Sequence, residues 1–112
     1  MSMHRGGAAA RPDDVFAALA DGTRWQLLGI LAAQGDGTAT TLAAVMPVSR
    51  VAVVKHLAVL DRAGLVKARR RGREVRYVVR PDRLEATARM LSSIAAEWDR
   101  RLAAIKRIAE EA

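Results

Sequence analysis

Thirty residues near the end of the chain carry an uninterrupted helical pattern. Residues 82–111 contain neither proline nor glycine, and their apolar positions step alternately by four and three. These positions are Leu84, Ala88, Leu91, Ala95, Trp98, Leu102, Ile105 and Ala109. Such a heptad repeat predicts one long helix with an apolar seam. The helix would be about 45 Å long, whereas a domain of this size has a radius of gyration of about 13 Å. Part of the seam therefore needs a second molecule to bury it.

Proline and glycine divide the preceding sequence into short helical segments. The first begins at Pro12, and acidic residues follow in its first turn, where the helix dipole favours them. The second, TRWQLLGILAAQ, has the wide apolar stripe of a core helix, and Trp25 is predicted to lie on that stripe. The third, TATTLAAVM, is predicted to have Thr40 as its N-cap and to turn Val45 inward. Pro47 ends it.

A fourth helix and a hairpin come next. Ser49 can cap SRVAVVKHLAVLDRA, in which Val53, Leu57 and Leu60 recur at the spacing of a buried face. The segments LVKARR and EVRYVV then alternate apolar with charged residues on either side of an Arg-Gly-Arg. This alternation predicts a half-exposed β-hairpin. The expected fold is mainly α with a small β-hairpin, with about five helices and a two-stranded wing.

Positive charge is concentrated in this part of the chain. The net charge is +7, yet residues 49–80 hold ten of the nineteen Lys and Arg residues and only two of the twelve acids. An evenly solvated surface would spread these charges, whereas a surface that binds a polyanion concentrates them. Two short helices joined by a tight turn and followed by a basic hairpin predict a winged helix-turn-helix, which places the fourth helix in the DNA major groove.

Composition excludes several classes of protein. The 112 residues include no cysteine, which rules out disulfides, thiolate metal ligands and a thiol nucleophile. The N-terminal sequence lacks the apolar core of a signal peptide, and no window resembles a membrane span, so a cytoplasmic protein is expected. Residues 1–11 are predicted to be a flexible arm and residues 12–112 a single domain. A Gly-rich phosphate loop after a strand and a cleft with paired carboxylates are both missing from the pattern, so an enzyme is not expected.

The chain resembles the ArsR-type winged helix-turn-helix transcriptional regulators over residues 13–108. The resemblance is carried by LADGTRWQLLGIL, by LAAVMPVSRVAVVKHLAVLDRAGLVKARRRGREVRYVV, and by EWDRRLAAIKR in the last helix. It implies a homodimeric repressor that binds an inverted-repeat operator in double-stranded DNA and releases it when an effector shifts the dimer geometry. Its first and last helices would form the dimer interface.

The same resemblance implies specific sites. In the recognition helix, over residues 49–63, the residues against the major groove would be Ser49, Arg50, Val51, Val54 and Lys55. In the wing, over residues 67–80, Arg70, Arg71 and Arg73 would pair with phosphates or enter a narrow minor groove, with Arg69 and Arg76 as supporting charge. Candidate phosphate contacts are Thr40 and Thr41. The dimer interface would include Leu91, Ala95, Trp98, Leu102 and Ile105.

Metal sensing, which is common in that family, does not fit this sequence. The thiolate site of the third helix needs paired cysteines, and a site in the last helix needs histidine, but residues 82–111 contain none. His56 is interpreted as a packed, hydrogen-bonded histidine. No metal, cofactor or catalytic residue is therefore predicted, and the effector stays open. The main alternative is an architectural protein that binds DNA or RNA with little sequence preference through the same basic surface.

Overall fold

The computed structural model describes residues 11–111. Five helices and three strands follow one another along this part of the chain. They are α1 (Pro12–Leu19), α2 (Gly22–Gln34), β1 (Gly37–Thr38), α3 (Ala39–Ala44), α4 (Arg50–Arg62), β2 (Val66–Arg71), β3 (Glu74–Val79) and α5 (Pro81–Glu111). The predicted mainly α fold is confirmed. The predicted flexible arm lies outside the described residues, apart from Arg11.

Polar side chains fix where the inner helices begin. The Asp21 carboxylate accepts hydrogen bonds of 2.8 and 3.1 Å from two backbone N–H groups in the first turn of α2. Ser49 Oγ likewise accepts one of 3.1 Å from a backbone N–H in the first turn of α4. The cap of α3 is Thr38, not Thr40 as predicted, because Thr38 Oγ1 accepts from the backbone N–H of Thr41 at 3.1 Å. This correction leaves the Thr40 hydroxyl outside the cap.

The core lies where α1, α2, α3 and α4 meet the sheet. Its members are Val15, Ala18, Leu27, Leu28, Leu31, Ala39, Leu42, Met46, Val53, Leu57, Leu60, Ala63, Leu65 and Val66. The predicted inward face of α4 is confirmed, since Val53, Leu57 and Leu60 are each 0% exposed. Two predictions were wrong: Trp25 is 63% and Val45 59% exposed. Apolar character alone does not separate a wide core stripe from its exposed edges.

The sheet has one strand more than predicted. β2 and β3 form an antiparallel hairpin in which Val66 lies opposite Val79 and Arg71 opposite Glu74. The two-residue strand β1 pairs with the other edge of β3, so the strand order is β1-β3-β2. A strand of two residues is too short to show an alternating pattern. With the third strand added, the winged helix-turn-helix architecture is confirmed.

Helix α5 projects from this domain. Thr87 is its one buried residue, and every residue from Leu91 to Glu111 is exposed except the half-buried Ala104. The Cα radius of gyration is 18.5 Å, compared with about 13 Å for a compact domain of this length. The difference arises because 31 helical residues form a rod about 46 Å long.

Candidate nucleic-acid interface

The start of α4 presents a mixed cationic and apolar surface. The buried residues of α4 hold one side of the helix against the core, so the residues between them point outward. Arg50 and Lys55 are exposed, and Val51 and Val54 beside them are 63% and 38% exposed. Cations donate to guanine edges and phosphates, and a small apolar side chain can contact a thymine methyl group. This side of α4 therefore has the chemistry of a base-reading surface.

Thr40 and Thr41, in the helix before α4, form different hydrogen bonds through their hydroxyl groups. Thr41 Oγ1 donates to the backbone carbonyl of Thr38 at 3.1 Å and accepts from the Thr38 backbone N–H at 3.0 Å. Thr40 Oγ1 accepts a 3.1 Å hydrogen bond from Nε of Arg50. The Thr40 hydroxyl proton has no acceptor within residues 11–111. Of the two predicted phosphate donors, Thr40 is the one whose proton is available.

The wing turns tightly at its tip. Two residues, Gly72 and Arg73, connect β2 with β3, and φ is positive at Gly72 (59°) but not at Arg73. A positive φ at the first central residue is the requirement of the type II′ hairpin turn, which glycine meets without steric cost. The turn places Arg71 and Arg73 on either side of the tip, where both are exposed.

Alternation along the hairpin distributes its side chains between two faces. Val66 is buried and Tyr77 half-buried, and Val66, Tyr77 and Val79 pack with the core. Successive residues point to opposite sides of a strand, so Arg69 and Arg71 lie on the face away from this packing. Apolar residues thus anchor the wing to the domain, whereas Arg70, which alternation places on the same face as Val66, is exposed nearer the tip.

Arg76 differs from the other wing arginines because it is paired within the chain. Its Nη1 lies 3.1 Å from Asp36 Oδ1 and its Nε lies 3.4 Å from Glu74 Oε1. The other four predicted wing arginines, Arg69, Arg70, Arg71 and Arg73, are exposed and form no salt bridge with any residue that the structure describes. Sequence reasoning did not find the Asp36 contact, since 40 positions separate its partners.

A groove joins the start of α4 to the wing. It has a volume of about 500 Å³. Its walls are residues 38–41, Arg50, Val54, residues 73–75 and Tyr77. The structure therefore brings Thr40, Thr41, Arg50 and Val54 together with the wing arginine Arg73. Contact of any of these residues with DNA remains a prediction.

His56 connects the recognition helix to α1 and α2. Its Nδ1 lies 3.3 Å from Nη1 of Arg24, whose Nε and Nη2 donate to the carbonyls of Ala18 and Ala17 at 2.7 and 3.2 Å. His56 is half-buried, which agrees with its interpretation as a packed, hydrogen-bonded residue.

Asp21, at the start of α2, lies beside the same cluster. The backbone N–H of Arg24 lowers the pKa of Asp21 below its ordinary value of 3.8. Desolvation acts in the opposite direction, and the Thr23 N–H and the charges of Arg24 and His56 lower it further. Hydrogen bonds to a carboxylate favour its charged form.

Residues 11–111 contain neither a candidate metal site nor a candidate membrane span. No three side chains among His, Cys, Asp and Glu approach one another closely enough to hold a metal ion in this part of the chain. None of the helices described here combines the length and hydropathy needed to cross a membrane.

The long helix carries an unusual amount of exposed apolar surface. Along its outer two-thirds Leu91, Ile94, Trp98, Leu102, Ile105 and Ile108 are 43–69% exposed. The guanidinium of Arg101 lies 5.1 Å from the ring centroid of Trp98 and donates to Glu97 at 2.9 Å. The predicted interface residues Leu91, Ala95, Trp98, Leu102 and Ile105 are all uncovered in the single chain. Exposed apolar stripes of this length are typical of protein–protein contacts, and the dimer interface stays a prediction.

Known proteins resemble the chain in both sequence and structure. No family model matches it. The arsenic resistance transcriptional regulator ArsR1 of Pseudomonas putida is 34% identical over 71 residues, or 63% of this chain. That match spans only 56% of the relative's own length.

Solved structures match more of the chain. A structure described as a possible transcriptional regulator for arsenical resistance has a TM-score of 0.66 and 39% identity, covering 80% of this chain and 94% of that one. An ArsR-like transcriptional regulator from Rhodococcus sp. RHA1 has a TM-score of 0.77 and 52% identity, covering 88% of this chain and 92% of that one. Identity at this level over nearly the whole of a solved regulator shows that the chain belongs to the ArsR family of transcriptional regulators.

Proposed function

We propose that the protein is a homodimeric repressor that binds an inverted-repeat operator in double-stranded DNA. The observation that carries this proposal is the groove in which Arg50 and Val54 of α4 face Arg73 of the wing. A base-reading helix and a backbone-binding hairpin on one continuous surface can contact adjacent parts of one duplex. The ArsR family is not enzymatic, which agrees with a binding role.

The two parts of this surface have different tasks. Residues at the start of α4, namely Ser49, Arg50, Val51, Val54 and Lys55, read base edges in the major groove and contact the phosphates beside them. The wing arginines Arg69, Arg70, Arg71 and Arg73 bind the flanking backbone or a narrow minor groove, where the negative potential is strongest. Arg76 supplies charge near the wing base, although its ion pairs with Asp36 and Glu74 reduce that contribution.

Dimerisation through α5 sets the symmetry of the site. A two-fold axis through the exposed seam of α5 would present two copies of α4 on one side of a duplex. Helix-turn-helix dimers of this kind read half-sites about 34–36 Å apart, which is one turn of DNA. The exposed side chains of Trp98, Leu102 and Ile105 support this arrangement, because burying them in a partner removes apolar surface from water.

The effector differs from that suggested by the names of some relatives. Two of the similar proteins are described as regulators of arsenic or arsenical resistance. This chain has no cysteine, so it cannot form the thiolate site that soft metals require. We infer an effector of another kind, such as a small organic molecule, a lipid-like ligand or a protein. A repressor of this type acts in the cytoplasm, where its operator is found.

A second candidate function uses the same surface without sequence preference. Phosphate contacts carry no sequence information, and four exposed arginines of the wing outnumber the two cations at the start of α4. An architectural protein that binds any DNA or RNA duplex would therefore have a similar surface. The two functions differ in the specificity ratio, since a regulator prefers its operator to random DNA by about a thousandfold or more.

Selection of bound sequences from a random DNA pool separates the two. The full chain is incubated with the pool at near-physiological salt, and the retained molecules are amplified and sequenced. The repressor proposal expects a two-fold symmetric motif with half-site centres about one helical turn apart. Retained sequences without a shared motif, with equal affinity for duplex RNA, would instead support the architectural function.

A further inference from the structure

One side-chain hydrogen bond joins the two helices of the helix-turn-helix at the surface. Nε of Arg50, the first residue of α4, donates to Oγ1 of Thr40 in α3 at 3.1 Å. Both residues are exposed, so burial does not fix this contact. Among the hydrogen bonds of residues 11–111, it is the one that links a side chain of α3 to a side chain of α4. It lies on the wall of the groove between α4 and the wing.

Thr40 is free to accept this bond because its neighbours cap the helix. Thr38 and Thr41 bond each other through side chain and backbone and so form the cap of α3. The Thr40 hydroxyl has no role in that cap. The β-branched side chain restricts the χ1 rotamers of Thr40, which limits the positions that its oxygen can take.

The bond determines which nitrogens Arg50 presents to solvent. With Nε directed at Thr40, the two terminal nitrogens Nη1 and Nη2 have no partner within residues 11–111, and they form a planar fork with fixed geometry. Such a fork can donate to O6 and N7 of one guanine. The Thr40 proton is not used by the Arg50 bond, so it remains available to a phosphate oxygen beside that base.

We propose that Thr40 is a specificity-determining positioning residue, which holds the Arg50 fork toward one guanine in each operator half-site. This inference rests on the proposed function, because it assumes that the start of α4 enters the major groove. It extends that proposal by naming the base that is read and the residue that fixes the reader. Thr40 itself contacts at most the backbone, so its effect on base choice acts through Arg50.

The test compares two substitutions of Thr40 that differ in the hydroxyl. Thr40→Val has nearly the same shape but lacks the acceptor, while Thr40→Ser keeps it. Dissociation constants are measured by fluorescence anisotropy for the selected operator and for operators with each half-site base replaced in turn. Circular dichroism melts verify that each variant folds, as expected for an exposed position.

For the wild type, replacing one guanine in each half-site should weaken binding far more than other replacements near it. In Thr40→Val, this discrimination should fall about tenfold, which is within the range of a bidentate arginine–guanine contact. Thr40→Ser should restore most of the discrimination. Arg50→Lys, which keeps the charge but lacks the fork, should also lose it, and adding Thr40→Val to Arg50→Lys should have no further effect on the ratio.

The outcomes separate this inference from the function on which it rests. If the wild type shows no preference among sequences, the proposed function fails and the inference fails with it. If the wild type prefers its operator but Thr40→Val keeps the same discrimination, only the inference is wrong. A loss of affinity that is equal for all sequences would reduce Thr40 to a phosphate donor, and additive losses in the double variant would show that Thr40 does not act through Arg50.

Discussion

Replacing Arg71 and Arg73 together with alanine removes two cations from the tip of the wing. Both are exposed, and neither forms a salt bridge with any residue between 11 and 111. The nearby Glu74 pairs with Arg76 instead. The two side chains are therefore free to neutralise phosphates, and a two-fold dimer would provide four such contacts. Apolar packing of Val66, Tyr77 and Val79 anchors the wing, so the substitutions should leave the fold intact.

The expected loss can be estimated from counterion release. Each phosphate contact contributes about 0.9 to the slope of log affinity against log salt, so four lost contacts reduce the slope by up to about 3.6. Between 50 and 200 mM salt, the affinity of the wild type should then fall about 150-fold more than that of the variant. The measurement is fluorescence anisotropy at several salt concentrations, with the selected operator and with scrambled DNA.

A matched control removes the same net charge elsewhere. Arg100 and Arg107 are exposed on α5, away from the wing and off the apolar seam. Alanine at both should leave the slope close to that of the wild type. If the wing variant also keeps the wild-type slope, the wing tip does not contact phosphates. If both variants lower it equally, the effect reflects net charge and not the position of the wing.

Three other predictions concern the dimer, a turn and a helix cap. Trp98→Ala should weaken the dimer by about 2 kcal/mol or more, as expected of an interface hot spot. Light scattering over a concentration series should then show monomers, and an unchanged dimer would refute the assignment of the α5 seam as the dimer interface. Gly64→Ala should lower the free energy of unfolding by about 1–2 kcal/mol, because φ is +79° there. Gly29→Ala, where no atom beyond the adjacent backbone of α2 lies within 4 Å of the added carbon, should raise it by about 0.5–1 kcal/mol in urea titrations. Asp21→Asn should reduce the loss of stability in acid. Because the fold lowers the pKa of Asp21, its carboxylate stabilises the wild type fully above the ordinary pKa of 3.8. That stabilisation is lost as the pH falls through the lowered pKa. Thermal melts between pH 7 and pH 2 would measure that difference.

The parts of the fold that sequence predicts are those with local, repeated signals. Val53, Leu57 and Leu60 lie at helical spacing between Ser49 and Gly64, so the inward face and both ends of α4 follow from the pattern alone. The hairpin follows from its alternation about a central glycine. Strand β1 has no such signal, because two residues cannot alternate and their pairing with β3 depends on where α2 ends in space.

The residues whose burial or capping role was predicted wrongly lack a local signal of this kind. Trp25 and Val45 have the apolar character of core residues, and only the arrangement of neighbouring helices decides that both are exposed. For Thr40 the difficulty is local competition. Three threonines near the start of α3 could each cap the helix, and the choice of Thr38 depends on its reciprocal bonds with Thr41. An acidic or amide side chain at the third position would have given a clearer capping-box signal.

Part of the candidate site also follows from local sequence patterns, and part of it does not. Exposed cations on α4 and the wing follow from charge and periodicity, since a charged residue between two buried ones must point outward. The sequence does not show which of those cations are paired within the domain. Arg76 is held by Asp36, 40 positions away, and by the neighbouring Glu74, and Nε of Arg50 is held by Thr40. Contacts that form only in the fold therefore decide which guanidinium nitrogens are paired within the domain and which remain for a ligand.

Sequence preference and dimer formation are linked by the size of each half-site surface. In the proposed complex, the start of α4 presents two cations and two valines to base edges, and each good bidentate contact discriminates by about 1–3 kcal/mol. Two such contacts give a single copy about 2–6 kcal/mol, which reaches only the lower part of the roughly 4–10 kcal/mol by which a regulator prefers its operator to random DNA. Two copies on one duplex double the number of base contacts. In the proposed dimer, the exposed seam of α5 would therefore affect sequence choice although it is remote from the groove. A variant that loses the dimer should lose operator preference more than affinity for random DNA.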